Sequence, residues 1–514
     1  MELVIFLPSS WISLVAAVAA VVMGIVAYRL WLHPLAHFPG PRLWAVSRLP
    51  WIYHTSSGRM WYQLKLLHQQ YGPIVRTAPS ELSFCSAPAW SDIYTSRPIM
   101  PKDPNSQTPP LNGADSLFTA VGDDHRRLRG ILVAGFSEKA LRDQAPGIER
   151  HAIEFIARLR HELEQGNAIL NLHKFFGYAA IDTITDLSYS EPIHALKDRH
   201  EHDWIARFFI HGRFSTLRMC LSWLYPLGQL MDLLVLPFMR RQRAKNWSVF
   251  GSKIVARIAR GNQPGQQADM IAPVLSKVTD RNIPIRSDTT SIKGMITKQE
   301  VLSHVLASVL ANSQLTAVTL TSCTYLLLQH EEVMHNVVKE VRQAFTADDQ
   351  ITVQSTQELI YLEAVFNETM RLHHPSPITL PRLVPPEGRQ IEGHFIPGNT
   401  VVGINLHVVH TSPEHWVEPH AFHPERFLPK DDVRYDSRFD KDVKAAYMPF
   451  STGPRNCIGG KFFFAEARVT LAKLLWNFDL ELAEPQAENW LEERAAYIVY
   501  EPKPLLVKLF ERTE

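Results

Sequence analysis

Phe450-Ser451-Thr452-Gly453-Pro454-Arg455-Asn456-Cys457-Ile458-Gly459 reads as a loop built to present one thiolate to a metal. A cysteine that binds metal must be ionised, so its sulfur needs hydrogen-bond donors and a nearby positive charge. Gly453 can adopt the positive backbone angles of a tight turn, which lets N–H groups point at Cys457. Arg455 is placed to reach outward to a carboxylate, Gly459 lets the following helix approach closely, and Phe450 is an apolar floor that keeps water away. The bland reading is a buried free cysteine in a turn. Four neighbours of the right type at fixed spacing weigh against it.

Working outward from Cys457, three further patterns fall on helices. Glu368 and Arg371 lie three apart on a helix expected over Tyr361–His373 and share a face. Pro424-Glu425-Arg426-Phe427 adds a second arginine downstream. An exposed ion pair contributes little, so this pattern matters only if it is buried. In Asp124-His125-Arg126-Arg127-Leu128-Arg129, His125 and Arg129 are four apart; taken alone, that is a solvated basic face. Thr297-Lys298-Gln299-Glu300 is a capping box that starts a helix. From Val301 to Leu328 no proline or glycine intervenes and apolar residues fall on nearly every face. At 1.5 Å per residue this predicts a helix about 45 Å long through the protein centre.

Together these residues resemble the cytochrome P450 family, most specifically in the loop, whose Phe, Gly, Arg, Cys and Gly stand at the family's spacing. The resemblance covers nearly the whole chain. It implies a mainly α fold with a smaller β-rich lobe, preceded by an N-terminal transmembrane helix, and one buried haem b. By this resemblance Cys457 is the proximal iron ligand, with Phe450 and Gly459 packed about the cofactor. His125, Arg129, Arg382 and Arg455 are expected on the two haem propionates, which call for charge-assisted donors. Glu368, Arg371 and Arg426 map onto the triad that locks the core behind the haem, a structural role. The implied partners are an NADPH–cytochrome P450 reductase, with cytochrome b5 as an optional second electron donor, a lipophilic substrate and membrane lipid. Arg126, Arg127 and Lys461 read either as a basic patch for an acidic reductase or as plain solubilising surface.

The N-terminus supports a membrane location. No charge occurs from Leu3 to Tyr28, and Trp11–Leu32 is long enough as a helix to cross the hydrocarbon core. Glu2 precedes the apolar run and Arg29, Arg42 and Arg48 follow it, the arrangement of an anchor with a cytosolic body and not of a cleaved signal peptide. Residues 1–32 are therefore read as the anchor and 33–50, with His33-Pro34 and Phe38-Pro39-Gly40-Pro41, as a stiff proline-rich hinge. Residues 51–514 are read as the haem-thiolate domain. The resemblance places the anchor in the endoplasmic reticulum as a single pass. Trp204–Phe238, rich in Phe, Leu, Trp and Met, is either a buried helix pair or, by the resemblance, a roof over the substrate channel that dips into the membrane surface. Gly261–Gly294 is polar and expected to be a surface connection, and Pro101–Gly113 a loop.

With 514 residues and 46% apolar content the chain buries a large core. A net charge of +1 gives no footprint for nucleic acid. The four cysteines, Cys85, Cys220, Cys323 and Cys457, are scattered, which argues against a disulfide framework or a CxxC zinc site. In His330-Glu331-Glu332-Val333-Met334-His335 the histidines are five apart and do not share a helical face; Gly460-Lys461-Phe462 lacks the Ser/Thr of a phosphate loop. No nucleophile elbow or dinucleotide fingerprint occurs.

The middle of the long helix departs from the family. Ala311-Asn312-Ser313-Gln314-Leu315-Thr316 aligns with Ala-Gly-x-acid-Thr-Thr, so that Asn312, Gln314 and Leu315 replace the glycine, the acid and the first threonine. In typical members that acid and alcohol support proton delivery to dioxygen. Leucine donates no hydrogen bond and glutamine is no proton relay at neutral pH. Gln314 and Thr316 are the remaining catalytic candidates, with Thr316 turned about 100° from position 315. Two readings stand: a monooxygenase of lipophilic secondary metabolites (polyketide, terpenoid or alkaloid), or a haem-thiolate isomerase, dehydratase, desaturase or ring-forming oxidase without net oxygen insertion. A haem sensor or electron carrier is the non-enzyme alternative. The long-helix pattern and the Ile396-Pro397-Gly398-Asn399-Thr400 turn look similar to members from filamentous-fungal secondary metabolism. Alignment to the family's recognition regions assigns Leu117, Phe118, Val309, Ser313, Gln314, Ile378 and Leu380 to the substrate channel.

Overall fold

The computed structural model describes residues 9–512 except 108–109, 111, 199–202, 247–249, 264–267, 280–293 and 488–489. Helix α1, Ser9–Ala27, continues through a π turn at Tyr28–Leu32. The span Trp11–Leu32 has a mean hydropathy of 2.3 and no part of it is buried by protein. The end of this apolar helix is tied to the body: Arg29 donates to the Val46 carbonyl, and Arg76 Nη1 donates to the Arg29 carbonyl at 2.9 Å. Leu35 and Phe38 enter the core, and the Arg76 N–H donates to the Pro39 carbonyl. A Cβ at Gly40 would stand 2.5 Å from the Arg76 carbonyl oxygen, so the proline-rich segment is docked tightly against the body.

The small lobe begins with strands β1, Ile74–Ala78, and β2, Glu81–Phe84, an antiparallel hairpin turning at Pro79. Helices α2 (Gly122–Leu132), α3 (Glu138–Glu164) and α4 (Leu172–Tyr189) follow, the second capped by the Ser137 hydroxyl. Strand β3, Ile169–Asn171, lies between the last two. Next come α5 (Asp203–Ser222) and α6 (Leu227–Asn246), then α7 (Lys298–Gln329) and α8 (Ile360–Leu372). Strands β4 (Arg382–Leu383) and β5 (Val401–Ile404) complete the first sheet, in the order β1-β2-β5-β4, with β5 parallel to β2. After α9, Gly460–Asn477, strand β6 (Phe478–Leu482) pairs with β7 (Leu506–Glu511), and β7 pairs with β3, all antiparallel.

α7 starts where the capping box places it. The Glu300 N–H donates to Thr297 Oγ1 at 3.1 Å, and the Thr297 N–H donates to Glu300 Oε2 at 2.8 Å. The larger hydrophobic core packs around this helix, with α4 and α8 against it and α9 beyond; a second core fills the small lobe. Ala307, Ser308, Ala311, Asn312 and Leu315 stay partly accessible at helical spacing although α7 runs through the interior, so they form a stripe along an internal cleft.

Two sequence expectations change. Gly261–Gly294 was expected to be surface; residues 264–267 and 280–293 of it lie outside the described residues, and of the rest Asn262, Gln263, Pro273, Ser276 and Lys277 are exposed, whereas Met270, Ile271 and Val274 are buried and Asp269 pairs with Arg257 in the core. Short apolar stretches inside a polar segment carry no periodicity from which burial is readable. The buried-pair reading of Trp204–Phe238 does not hold for α6, where Leu233 and Leu234 are 68% and 67% exposed and Leu227, Leu230 and Phe238 are also exposed. The turn between α5 and α6 meets the segment that follows the N-terminal helix: the Arg48 guanidinium sits 3.7 Å from the Trp223 ring centroid.

Candidate active site

The loop before α9 is held by its own backbone. The Cys457 N–H donates to the Phe450 carbonyl at 2.8 Å. Gly453 has φ +76°, and a Cβ there would collide with the Tyr94 carbonyl oxygen, so only glycine fits. The Phe450 ring packs on Phe463 and Phe464 of α9, and a Cβ at Gly460 would press on it at 3.2 Å. Gly459 would tolerate a Cβ 4.0 Å from the Cys457 sulfur.

Cys457 alone among the four cysteines has an accessible side chain. Its sulfur is nevertheless surrounded by protein. Burial pushes the thiol pKa up, while the N–H groups of Gly459 and Gly460 and the Arg129 guanidinium pull it down. Accessibility in such surroundings means that the sulfur opens on the interior cleft. Arg129 of α2 is itself bonded to the loop, donating to the Asn456 carbonyl at 2.8 Å and to its side-chain oxygen.

A cluster of cations lies beside the loop. Lys102, His125, Arg129, Arg382 and Arg455 act on one another, and none pairs with a carboxylate among the described residues. Burial, then Arg455 and Arg382, lowers Lys102 to about 7; burial, then Arg455, Lys102, Arg129 and Arg382, lowers His125 to about 3. His125 is thus a neutral imidazole here, offering an N–H but no charge. Arg455 is held by the Ala120 carbonyl at 3.1 Å, Lys102 by the Phe118 carbonyl at 2.7 Å, and Arg382 lies 4.9 Å from the Tyr94 ring centroid. A soft sulfur ligand next to uncompensated buried positive charge fits a metal-centred cofactor that carries carboxylates. Lys102 is the member that sequence reading missed. It sits alone in a polar loop and meets Arg382 only through a bridge across the fold.

Behind the loop, Glu368, Arg371 and Arg426 are fully buried together. Arg371 pairs with Glu368 at 2.6 and 2.8 Å, and Arg426 Nε reaches Glu368 Oε1 at 3.1 Å. Sequence reading missed the fourth member, Asp442, which accepts from Arg426 Nη1 at 2.7 Å. The two arginines also donate to the carbonyls of His410, Pro419, Ala421 and Val417, fixing the loops that lead into Phe450–Gly459.

The substrate-channel assignments divide. Phe118 is 50% exposed, and Ile378 and Leu380 are partly accessible. Leu117, Val309 and Ser313 are core residues, and the Ser313 hydroxyl donates back to the Val309 carbonyl at 2.8 Å. On a helix of 3.6 residues per turn, position 309 lies about 60° and position 313 about 100° from Asn312 at the edge of the accessible stripe of α7. Gln314 is buried at the other edge of that stripe, and Leu315 packs toward Trp61 and Tyr500. Thr316 is 1% exposed and bonded to Glu466. The basic-patch option for Arg126, Arg127 and Lys461 also loses its centre: Arg127 is partly buried and paired with Asp124 and Glu300, while Arg126 and Lys461 pair with Asp123 and Glu138 at the surface.

The family model described as Cytochrome P450 matches residues 38–509. The chain belongs to the cytochrome P450 family. Averantin hydroxylase of Dothistroma septosporum is 35% identical to this P450 over 497 residues, covering 95% of this chain and 89% of that protein. Averantin hydroxylase of Aspergillus parasiticus is 36% identical over 494 residues, covering 96% and 95%. The cytochrome P450 monooxygenase stcF of Emericella nidulans is 34% identical over 494 residues, covering 96% and 98%. This P450 is therefore an oxidoreductase, a monooxygenase at the level of its family, of the kind found in fungal secondary metabolism. It uses a haem, and enzymes of this kind draw electrons from a reductase and act on lipophilic substrates. Its N-terminal apolar helix is consistent with a membrane anchor.

Proposed function

We propose that this P450 is a monooxygenase of the endoplasmic-reticulum membrane that hydroxylates a lipophilic secondary metabolite. Haem b is its cofactor, Cys457 the iron ligand, and an NADPH–cytochrome P450 reductase the electron source. The observation that carries this reading is the accessible Cys457 sulfur, set under two N–H donors and Arg129, in a loop flanked by partly buried cations that lack a carboxylate among the described residues. A haem held there supplies the binding and one-electron reduction of dioxygen. In the overall balance, substrate C–H, O2, NADPH and one proton give C–OH, water and NADP+.

The chain's own residues have separable tasks. Gly459 and Gly460 N–H groups and Arg129 favour the thiolate against the burial that opposes it. Arg382, Arg455 and Lys102, with an N–H from His125, bind the propionates. Phe450 shields the sulfur side from water. Glu368, Arg371, Arg426 and Asp442 keep the loop in place. Phe118, Ile378 and Leu380, with the exposed stripe of α7, line the substrate side. Residues 1–32 anchor the enzyme by a single pass, 33–50 dock that anchor to the body, and the exposed face of α6 meets lipid, so a lipophilic substrate enters from the bilayer. The names of two relatives support hydroxylation as the reaction type.

Gln314 and Leu315 favour the second reading, in which no oxygen is inserted. Conversion of the substrate under 18O2 separates the two. One labelled oxygen per product molecule, with NADPH consumed one for one, is expected; conversion without label overturns the monooxygenase reading.

A further inference from the structure

A side pocket of about 350 Å3, its mouth included, lies beside the first half of α7. Leu132 and Phe136 wall it on one side, Met270, Ile271 and Val274 on another, and Val305 faces it from α7. These walls are tied to one another. The Met270 N–H donates to the Leu187 carbonyl at 2.7 Å, Gln144 donates to the Gly135 carbonyl at 3.1 Å, and a Cβ at Gly135 would stand 2.6 Å from the Met270 carbonyl oxygen. Of the residues that line the pocket, Phe136 and Ser308 are partly accessible and the others are buried. Ser308 belongs to the accessible stripe of α7, so the pocket opens on the same internal cleft as that stripe.

Two polar atoms in the lining have no partner in the protein. Ser188, near the end of α4, is 1% exposed, and its Oγ makes no hydrogen bond among the described residues. Other hydroxyls inside these helices turn back on their own chain: Thr183, Thr185 and Ser313 each donate to the carbonyl four residues earlier. His304 is 5% exposed; its Nε2 lies 3.4 Å from Ser308 Oγ, and its Nδ1 is buried with no partner. Burial lowers the His304 pKa to about 4, so the ring is neutral near pH 7. With Nε2 donating to Ser308, Nδ1 is left as an acceptor. Asp269, beside Met270, is already occupied: it accepts from Arg257 at 3.1 Å, from Ser190 at 2.6 Å and from the Ala272 N–H at 2.7 Å. A mostly apolar chamber with two polar atoms on its wall has the form of a site for a neutral molecule.

We propose that this pocket takes one end of the substrate, a neutral aromatic ring bearing a hydroxyl, whose O–H donates to His304 Nδ1 and whose oxygen accepts from Ser188. This rests on the monooxygenase reading and gives its substrate class, a lipophilic phenol. Phe136, which meets the His304 ring edge-on at 6.4 Å, and the Met270 thioether make the kind of wall on which an aromatic ring packs. A carboxylate or ammonium group would be desolvated there with no opposite charge to meet it. Ser308 and Asn312 are about one turn, or about 6 Å, apart along α7. A ring held beyond Ser308 therefore leaves the rest of the substrate, including the carbon to be oxidised, in the cleft.

The test uses full-length haem-loaded protein with 13C-labelled methionine methyls, reduced and saturated with carbon monoxide so that added molecules do not ligate the iron. The Met270 methyl signal, assigned by its loss in Met270→Leu, reports occupancy of the pocket. Phenol should shift it saturably, benzene should bind about fivefold more weakly for want of one hydrogen bond, and benzoate should leave it unmoved. His304→Leu should bring phenol down to the affinity of benzene. If that variant does not load haem, Ser188→Ala serves in its place, and should weaken phenol about threefold while leaving benzene unchanged. 4-Hexylphenol, whose chain lies in the cleft while its ring fills the pocket, should give the same Met270 shift, bind about tenfold or more tighter than phenol, and move the Soret band of the ferric protein. No Met270 shift, phenol no tighter than benzene, or phenol binding unchanged in the variants overturns the assignment. A Met270 shift from phenol with none from 4-hexylphenol makes this a site for free phenols and overturns the link to the substrate. All of these are read on protein that holds haem on Cys457; a chain that takes up no haem there overturns the monooxygenase reading, and this assignment with it.

Discussion

Replacing Asp442 with asparagine removes one charge from a fully buried cluster while keeping its shape. Asp442 Oδ1 accepts from the Val417 N–H at 2.9 Å, a bond that an asparagine carbonyl can keep. Its Oδ2 accepts from Arg426 at 2.7 Å and Lys444 at 3.3 Å, and an amide nitrogen there would face two donors. The cluster then holds Arg371, Arg426 and the half-exposed Lys444 against Glu368 alone. Two charges about 4 Å apart interact by about 4 kcal/mol at an effective dielectric of about 20. Breaking one partner of a buried pair costs about 3–5 kcal/mol. Asp442→Asn should therefore destabilise the full-length protein by about 4 kcal/mol in urea titrations followed by tryptophan fluorescence. Trp416 is a local reporter, its ring centroid 5.2 Å from the Arg371 guanidinium and 5.8 Å from that of Arg426. The double variant Asp442→Asn, Arg426→Met should cost clearly less than the sum of the single changes, because each removes the other's stranded charge. A loss under about 1 kcal/mol, or strict additivity, would refute the cluster's electrostatic role.

Other consequences follow from the same geometry. Glu466 has a raised pKa, so the folded state holds its proton where the unfolded chain has lost it. Its contribution is full below about 4.5 and lost as pH rises to about 7, about 3 kcal/mol in all. Glu466→Gln should thus stabilise the protein relative to wild type by about that amount at pH 8 and by nothing at pH 4.5; equal stability at pH 8 would contradict it. Gly453→Ala forces a left-handed backbone and a collision with the Tyr94 carbonyl, and should abolish haem incorporation as measured by Soret absorbance per protein. Lys102→Met removes one of the crowded cations, so it should raise the thermal midpoint of haem-free protein and speed haem loss from loaded protein, measured by transfer to apomyoglobin.

Much of this was legible because it is local. The capping box at Thr297, the turn glycine at 453 and the three-residue spacing of Glu368 and Arg371 are set by neighbours along the chain, and each has the expected geometry. Lys102, Asp442 and Glu466 were not legible, because their partners are brought together from distant segments; a single acid or base in the sequence carries no sign of what will face it. Val309 and Ser313 are buried, which alignment does not foretell, since it fixes position along α7 but not which side chains stay accessible. The exposed apolar face of α6 looks like core by composition, because composition does not say which apolar side chains find a packing partner.

The central claim is a bond from the Cys457 sulfur to iron. X-ray absorption at the iron edge of full-length haem-loaded protein should show one sulfur in the first coordination shell, and Cys457→Ser should show none. Sulfur scattering that persists in Cys457→Ser, or its absence from the wild type, would contradict the account.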